Sequence, residues 1–147
     1  MKVVVDTNIA FSAILNSNSK IGEVIIKSGN LFSFYSSLQL KSEIYEYKDK
    51  ILQISTYSES EFNEISNIIF RKITFISDLL IPESELLKAE KLTSNIDIDD
   101  TIFVALTNHL NALLWTGDKS LKRGLESKNW HKFITLDELY QKMCLKK

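Results

Sequence analysis

The run Val3-Val4-Val5, followed directly by Asp6, constrains this chain more than any other stretch. Three consecutive β-branched apolar residues with no polar alternation describe a short strand buried on both faces, as inside a parallel sheet covered by helices. A carboxylate at the end of such a strand is costly to bury unless a hydrogen-bond net, a partner charge or a metal ion neutralises it. The rest of the chain has to supply the sheet, its covering helices and the neutralising group.

Further strands are expected at Leu31 to Ser37 (LFSFYSS), at Thr74 to Ile76, in ALLWTGD, and at KFIT near the C-terminal end. Helical patterns separate them. Ile9, Phe11, Ile14 and Leu15 follow the first strand, and Ile21, Val24, Ile25 and Ile26 suggest a second helix stopped at Gly29. Three pairs satisfy the capping-box pattern: Ser36 with Gln39 ahead of LKSEIYEYKDKIL, Ser58 with Glu61, and Thr135 with Glu138. The helix opened at Ser58 is expected to turn Phe62, Ile65, Ile68, Ile69 and Ile73 inward. Pro82 opens another helix, ESELLKAEKLTS, and Thr101 to Leu110 is apolar on nearly all sides, as a helix buried in the middle of a domain would be. Strands alternating with helices predict an α/β fold, with a central, mainly parallel sheet and right-handed crossovers. A length of 147 residues suits one domain over 1–147.

In such sheets ligands bind beyond the carboxyl ends of the strands. Two strands end there in an aspartate, VVVD at Asp6 and LLWTGD at Asp118. Asp99 and Asp100 open the helix before the second of these strands, and Glu43 lies one turn into the helix after strand two. Gathered at one rim, these acids would repel one another unless a cation sat between them. Carboxylates with no histidine or cysteine at hand suit a hard ion, Mg²⁺ or Mn²⁺, rather than zinc. Each acid also has a plainer reading. Asp6 and Asp118 can cap the helices that follow them. Glu43 can be a solvated helix residue with Glu46 as its rival, and Asp97, Asp99 and Asp100 can be an acidic helix start favoured by the macrodipole.

Composition narrows the classes. With 44% hydrophobic and 25% charged residues the chain matches ordinary globular proteins, not disordered or membrane ones. The single cysteine, Cys144, and the lack of a leader pattern or a long apolar segment point to a reducing, cytoplasmic setting. A net charge of -1 supplies no global basic field, so a nucleic-acid substrate would need a local patch or metal ions. The densest basic stretch is Lys119, Lys122, Arg123, Lys128 and Lys132, which reads either as phosphate contacts or as a solvated helix face. Trp115 and Trp130 read as packing residues rather than base-stacking platforms.

VVVDTN, SEI, DDTIFVAL and LLWTGDKSL stand in the order and context found in PIN-domain nucleases. Over nearly its whole length the chain resembles that family, especially the bacterial VapC-type ribonucleases that are toxins of toxin–antitoxin pairs. The resemblance implies a PIN-like three-layer fold and a catalytic, metal-binding set of Asp6, Glu43, Asp100 and Asp118. The resemblance implies Asp100 rather than Asp99, because the family's aspartate precedes the buried helix by the spacing that DTIFVAL shows from Asp100; Asp99 is held in reserve. Asn8 and Thr116 resemble residues that orient the first and last carboxylates, and Lys119 and Ser120 would face substrate.

The implied activity is Mg²⁺- or Mn²⁺-dependent endonucleolytic hydrolysis of RNA, leaving a 5′-phosphate and a 3′-hydroxyl. The implied partners are a small antitoxin that masks the acid pocket with a basic side chain, and a second copy in a homodimer. The segment from Ser55 to Ser94 departs in length from the shortest toxins, and its helices would form a clip-like arm. Two other classes compete. A response-regulator receiver also gathers acids and Mg²⁺ at strand ends, but LFSFYSS and TFIS end in serines where its phosphoacceptor would stand. A catalytically inactive PIN-fold scaffold would be expected to have lost an acid, whereas all four are present.

Overall fold

The computed structural model describes residues 1–145. Strand β1 (Lys2–Val5) leads into helices α1 (Thr7–Leu15) and α2 (Lys20–Lys27), then β2 (Ser33–Ser37). Helices α3 (Leu38–Glu46), α4 (Lys48–Ser55) and α5 (Glu59–Arg71) carry the chain to β3 (Ile73–Ile76). Helices α6 (Glu83–Thr93) and α7 (Thr101–Leu110) lead to β4 (Leu113–Trp115), and α8 (Lys119–Glu126) and α9 (Leu136–Leu145) complete the order. Short 3₁₀ turns occupy Asp78–Leu80 and Ile98–Asp100.

The four strands form one parallel sheet in the order β3-β2-β1-β4. Val3, Val4 and Val5 are fully buried at its centre, where Val5 lies opposite Trp115 of β4 and Val4 opposite Tyr35 of β2. The α/β architecture expected from alternating strand and helix patterns is therefore present, with helices flanking a parallel sheet. Helix α7 packs against β1, β2 and β4, and every residue from Thr101 to Thr107 is buried. Its all-round apolarity is explained by that central position. No helix among the described residues is long and apolar enough to cross a membrane.

Several local expectations need correction. KFIT forms only a single parallel bridge, Phe133 opposite Leu114. The chain turns away at once into the capping box of α9, where Thr135 and Glu138 exchange side-chain and backbone hydrogen bonds at 3.1 Å. The cap of α3 is Ser37, which accepts from the Gln39 N–H at 3.0 Å, and not Ser36. Ser36 is buried in β2 and donates its hydroxyl to the Val5 carbonyl at 2.6 Å, which ties the two strands together. The helix expected to run unbroken through LKSEIYEYKDKIL is interrupted at Tyr47, whose ring packs edge-on against Phe11 of α1. In α5 the buried face is Phe62, Ser66, Ile69 and Phe70. Ile68 is exposed, and Ile73 belongs to β3. The Ser58–Glu61 box is formed in both directions.

Candidate active site

The chain lays its strands outward from β1 to β2 to β3, then returns to the other side of β1 to place β4. The reversal creates a crevice at the carboxyl ends of β1 and β4, the position where open α/β sheets bind ligands. Asp6 follows β1, and Asp118 follows β4 after a short Thr116-Gly117 turn. Both aspartates also cap helices. Asp6 Oδ1 accepts from the Ile9 N–H at 3.1 Å, and Asp118 Oδ1 accepts from the Leu121 N–H at 3.0 Å. Capping and site placement are thus the same geometry: one oxygen is held by the helix start, which fixes how the carboxylate faces the crevice.

A polar cleft of about 140 Å³ opens there. Asp6, Glu43, Asp100 and Asp118 all line it, together with Asp97, Asp99, Asn8, Thr7 and Tyr47. Four stretches far apart in sequence therefore deliver acids to one place. Asp6 is only 3% exposed; Glu43, Asp100 and Asp118 are half-buried, and Asp99 is exposed.

Burial raises the Asp6 carboxyl to about 6, with the charge of Asp118 adding to the rise and hydrogen bonds from the Thr116 hydroxyl and the Ile9 N–H opposing it. The Asp100 carboxyl is raised to about 7, first by burial and then by the charges of Asp97, Asp6, Asp118 and Glu43. The acids feel one another, as carboxylates crowded in one cleft must.

Thr116 joins two of them. Its hydroxyl bonds the Asp6 carboxylate and its oxygen accepts from the Asp118 N–H at 3.0 Å. Asn8 reaches Asp6 through its backbone N–H, while its side chain stands exposed at the cleft wall. Lys119 and Ser120 are exposed in the first turn of α8 and do not line the cleft.

Three contributors escaped the sequence reading. Gln39 donates from Nε2 to Glu43 Oε1 at 2.7 Å and to the Asp99 carbonyl at 3.0 Å, which ties α3 to the turn carrying Asp99 and Asp100. The spacing of four residues between Gln39 and Glu43 on one helix was the available signal. Thr7 lines the cleft with a buried hydroxyl that has no hydrogen-bond partner among the described residues. Its place directly behind Asp6 was the only hint. Tyr47 closes one side of the cleft from the α3–α4 break.

The cleft's donors are oxygens alone, which in kind fits a hard divalent cation. The unpartnered Thr7 hydroxyl and the mutual repulsion of the acids fit it too. Among the described residues, however, no three acidic, histidine or cysteine side chains stand close enough together to hold an ion as they lie.

A sequence model of the PIN domain matches residues 4–143. The chain belongs to the PIN domain family. Members of this family are nucleases. Two solved structures share the fold. The PIN chain superposes on PAE2754 from Pyrobaculum aerophilum with a TM-score of 0.71 at 12% identity, over 99% of this chain and 90% of that one. It superposes on VapBC2 from Rickettsia felis, bound to a DNA fragment from their promoter, with a TM-score of 0.65 at 14% identity, over 92% and 97% of the two chains. No curated protein matches the chain.

Proposed function

We propose that this PIN domain is a metal-dependent endoribonuclease, formed by residues 1–147 as one domain, and that it is the toxin of a toxin–antitoxin pair in the cytoplasm. The observation that carries the reading is the convergence of Asp6, Glu43, Asp100 and Asp118 on one cleft at the point where the strand order reverses. The match to the PIN domain supports nuclease chemistry, and the fold shared with a VapBC complex supports the toxin assignment.

Asp6, Glu43, Asp100 and Asp118 would hold Mg²⁺ or Mn²⁺. Bound there, a divalent ion supplies Lewis acidity, which makes water a competent nucleophile at neutral pH and offsets the charge that builds on phosphate oxygens. The chain does the positioning. The helix starts fix Asp6 and Asp118 through their capping bonds, and Thr116 sets the relative orientation of the two. Gln39 holds one oxygen of Glu43 and leaves the other free for the cleft. Such supporting hydrogen bonds typically change metal affinity or activity by roughly 10–100-fold. The phosphodiester lies across the acids, and the products are a 5′-phosphate and a 3′-hydroxyl. An antitoxin would silence the enzyme by presenting a cationic side chain to the same acids, and a second copy would form a homodimer through helix faces.

The test is cleavage of end-labelled RNA by the wild type and by Asp6→Asn, with Mg²⁺ or Mn²⁺ and with excess chelator. Cutting that needs the ion and disappears in the variant is the expected result. A broad set of RNAs left intact, with no heat of Mg²⁺ or Mn²⁺ binding, would overturn the reading in favour of a scaffold.

A further inference from the structure

Beside the acid cleft lies a second recess, of about 250 Å³, at the carboxyl end of β4. Its lining is chiefly apolar: the buried Ile9 and Trp115, the latter packed in the core as its sequence suggested, and the half-buried Phe133 and Leu136, joined by Thr116 and Lys122. Thr116 therefore belongs to both places. Its hydroxyl touches Asp6 and the Asp118 backbone, while the residue also lines the recess. Whatever fills the recess lies one side chain away from two of the four acids.

The recess also has its own cation. Lys122 stands one turn after Asp118, its N–H bonded to the Asp118 carbonyl at 3.1 Å, with its ammonium 5.8 Å from the centre of the Phe133 ring. None of the ion pairs among the described residues uses Lys122. Two of its neighbours in the basic run are otherwise engaged. Lys128 donates to the Leu92 carbonyl at 2.9 Å and to Asn95, and Arg123 Nε points to the Lys119 carbonyl.

Pockets for whole drug-sized ligands span roughly 300–1,000 Å³. This one is smaller, sized for one planar group rather than a dinucleotide. A chiefly apolar lining that includes one lysine suits a group whose body is flat and apolar and which carries an anion a few ångströms away. A nucleotide has that form.

We propose that the recess is a nucleobase subsite, taking the base of the RNA nucleotide that adjoins the scissile phosphate while Lys122 contacts that nucleotide's phosphate. This rests on the ribonuclease reading and extends it. The site would select a single-stranded segment, since a base can enter only when unpaired, and would impose a base preference on one side of the cut.

The first measurement is binding without catalysis. Each of the four nucleoside 5′-monophosphates is titrated into the full chain in excess chelator, with the Trp115 indole, Phe133 and Leu136 signals followed by NMR. The expected result is saturable binding of at least one nucleotide with shifts confined to these residues, and binding of ribose 5-phosphate about tenfold weaker because the base contributes by packing on the walls. Lys122→Gln, a change at a half-buried position, should weaken the nucleotide about fivefold or more. Leu136→Trp should fill the recess and remove binding.

Equal binding of ribose 5-phosphate would overturn the proposal in favour of a phosphate site. Stronger shifts from N-acetyl-leucinamide than from any nucleotide would overturn it in favour of a protein side chain, and no binding to any nucleotide would also overturn it. Cleavage assays separate the two readings. RNA cutting with no base preference in wild type, or with a preference that Leu136→Trp leaves unchanged, would sink the subsite alone. Nucleotide binding at these residues with no RNA cutting would sink the ribonuclease reading alone.

Discussion

Asp6 is the residue on which the site's energetics turn. Its carboxyl is raised from 3.8 to about 6, so the fold favours the protonated form. The unfolded chain releases this proton near pH 4 and the folded chain near pH 6. The group's contribution to stability is therefore largest below about pH 4 and is lost as pH rises through about 6, the reverse of a salt-bridged carboxylate. With about 1.4 kcal/mol per pKa unit, the charged Asp6 costs the metal-free fold on the order of 3 kcal/mol at pH 7.5. Asp100, raised to about 7, extends the same trend upward in pH, more weakly because it is half-exposed. Asn at position 6 keeps a side-chain oxygen for the Ile9 N–H and removes the charge. Asp6→Asn is thus expected to stabilise the chelated protein by about 1–3 kcal/mol at pH 7.5 in urea titrations while abolishing cleavage. A variant less stable than wild type at that pH would show that burial does not strain the carboxylate.

At the scale of elements, two contacts decide how the helices sit. Gly22 lies in the first turn of α2, where an added Cβ would come within 2.3 Å of the Ser17 carbonyl oxygen. That atom is backbone and cannot swing aside, so Gly22→Ala should cost at least about 2 kcal/mol despite alanine's better helix propensity. A melting temperature equal to the wild type's would refute the close approach. Lys128 caps the end of α6 by donating to the Leu92 and Lys91 carbonyls and to Asn95. Lys128→Met is expected to lower stability by about 1–2 kcal/mol, whereas Lys122→Gln, in the same basic run, should leave the melting temperature unchanged. The five cations were alike in sequence because composition says nothing of which carbonyl a lysine will meet. The same limit explains Ser36 and Ser37. The S-x-x-Q pattern fits Ser36, but β2 continues one residue further and turns that hydroxyl toward Val5. Strand and helix identities were legible because burial imposes a period on the residues themselves. Tyr47's break, Gln39's tether and the one-residue length of the KFIT pairing were not, since each depends on a neighbour distant in the chain.

For the whole molecule, the spatial order β3-β2-β1-β4 makes four separate acids into one site, and periodicity does not encode it. The aspartates could be picked out one by one as strand-end and helix-start acids. That Asp6 and Asp118 meet follows only from β4 pairing with β1, a long-range choice. The energetic result is a domain whose central strand ends among clustered carboxyls, two of them raised by burial and by neighbouring acids, so folding and ion binding should be linked. An ion that binds only the native state stabilises it by about 2.7 kcal/mol at 100 times its dissociation constant. For a chain of about this size that corresponds to a rise in melting temperature of about 5–10 °C. Mn²⁺ or Mg²⁺ at pH 7.5 should produce such a rise in scanning calorimetry, and Asp6→Asn should show little of it. The rise should shrink toward zero near pH 5, where protons hold Asp6 and Asp100 and the ion must displace them. Simple screening of a crowded acidic patch would behave differently. NaCl at matched ionic strength would then reproduce the shift, and the variant would respond in parallel with the wild type. A shift specific to the divalent ion, lost with Asp6 and lost at low pH, would mark the cleft as a site that the ion completes.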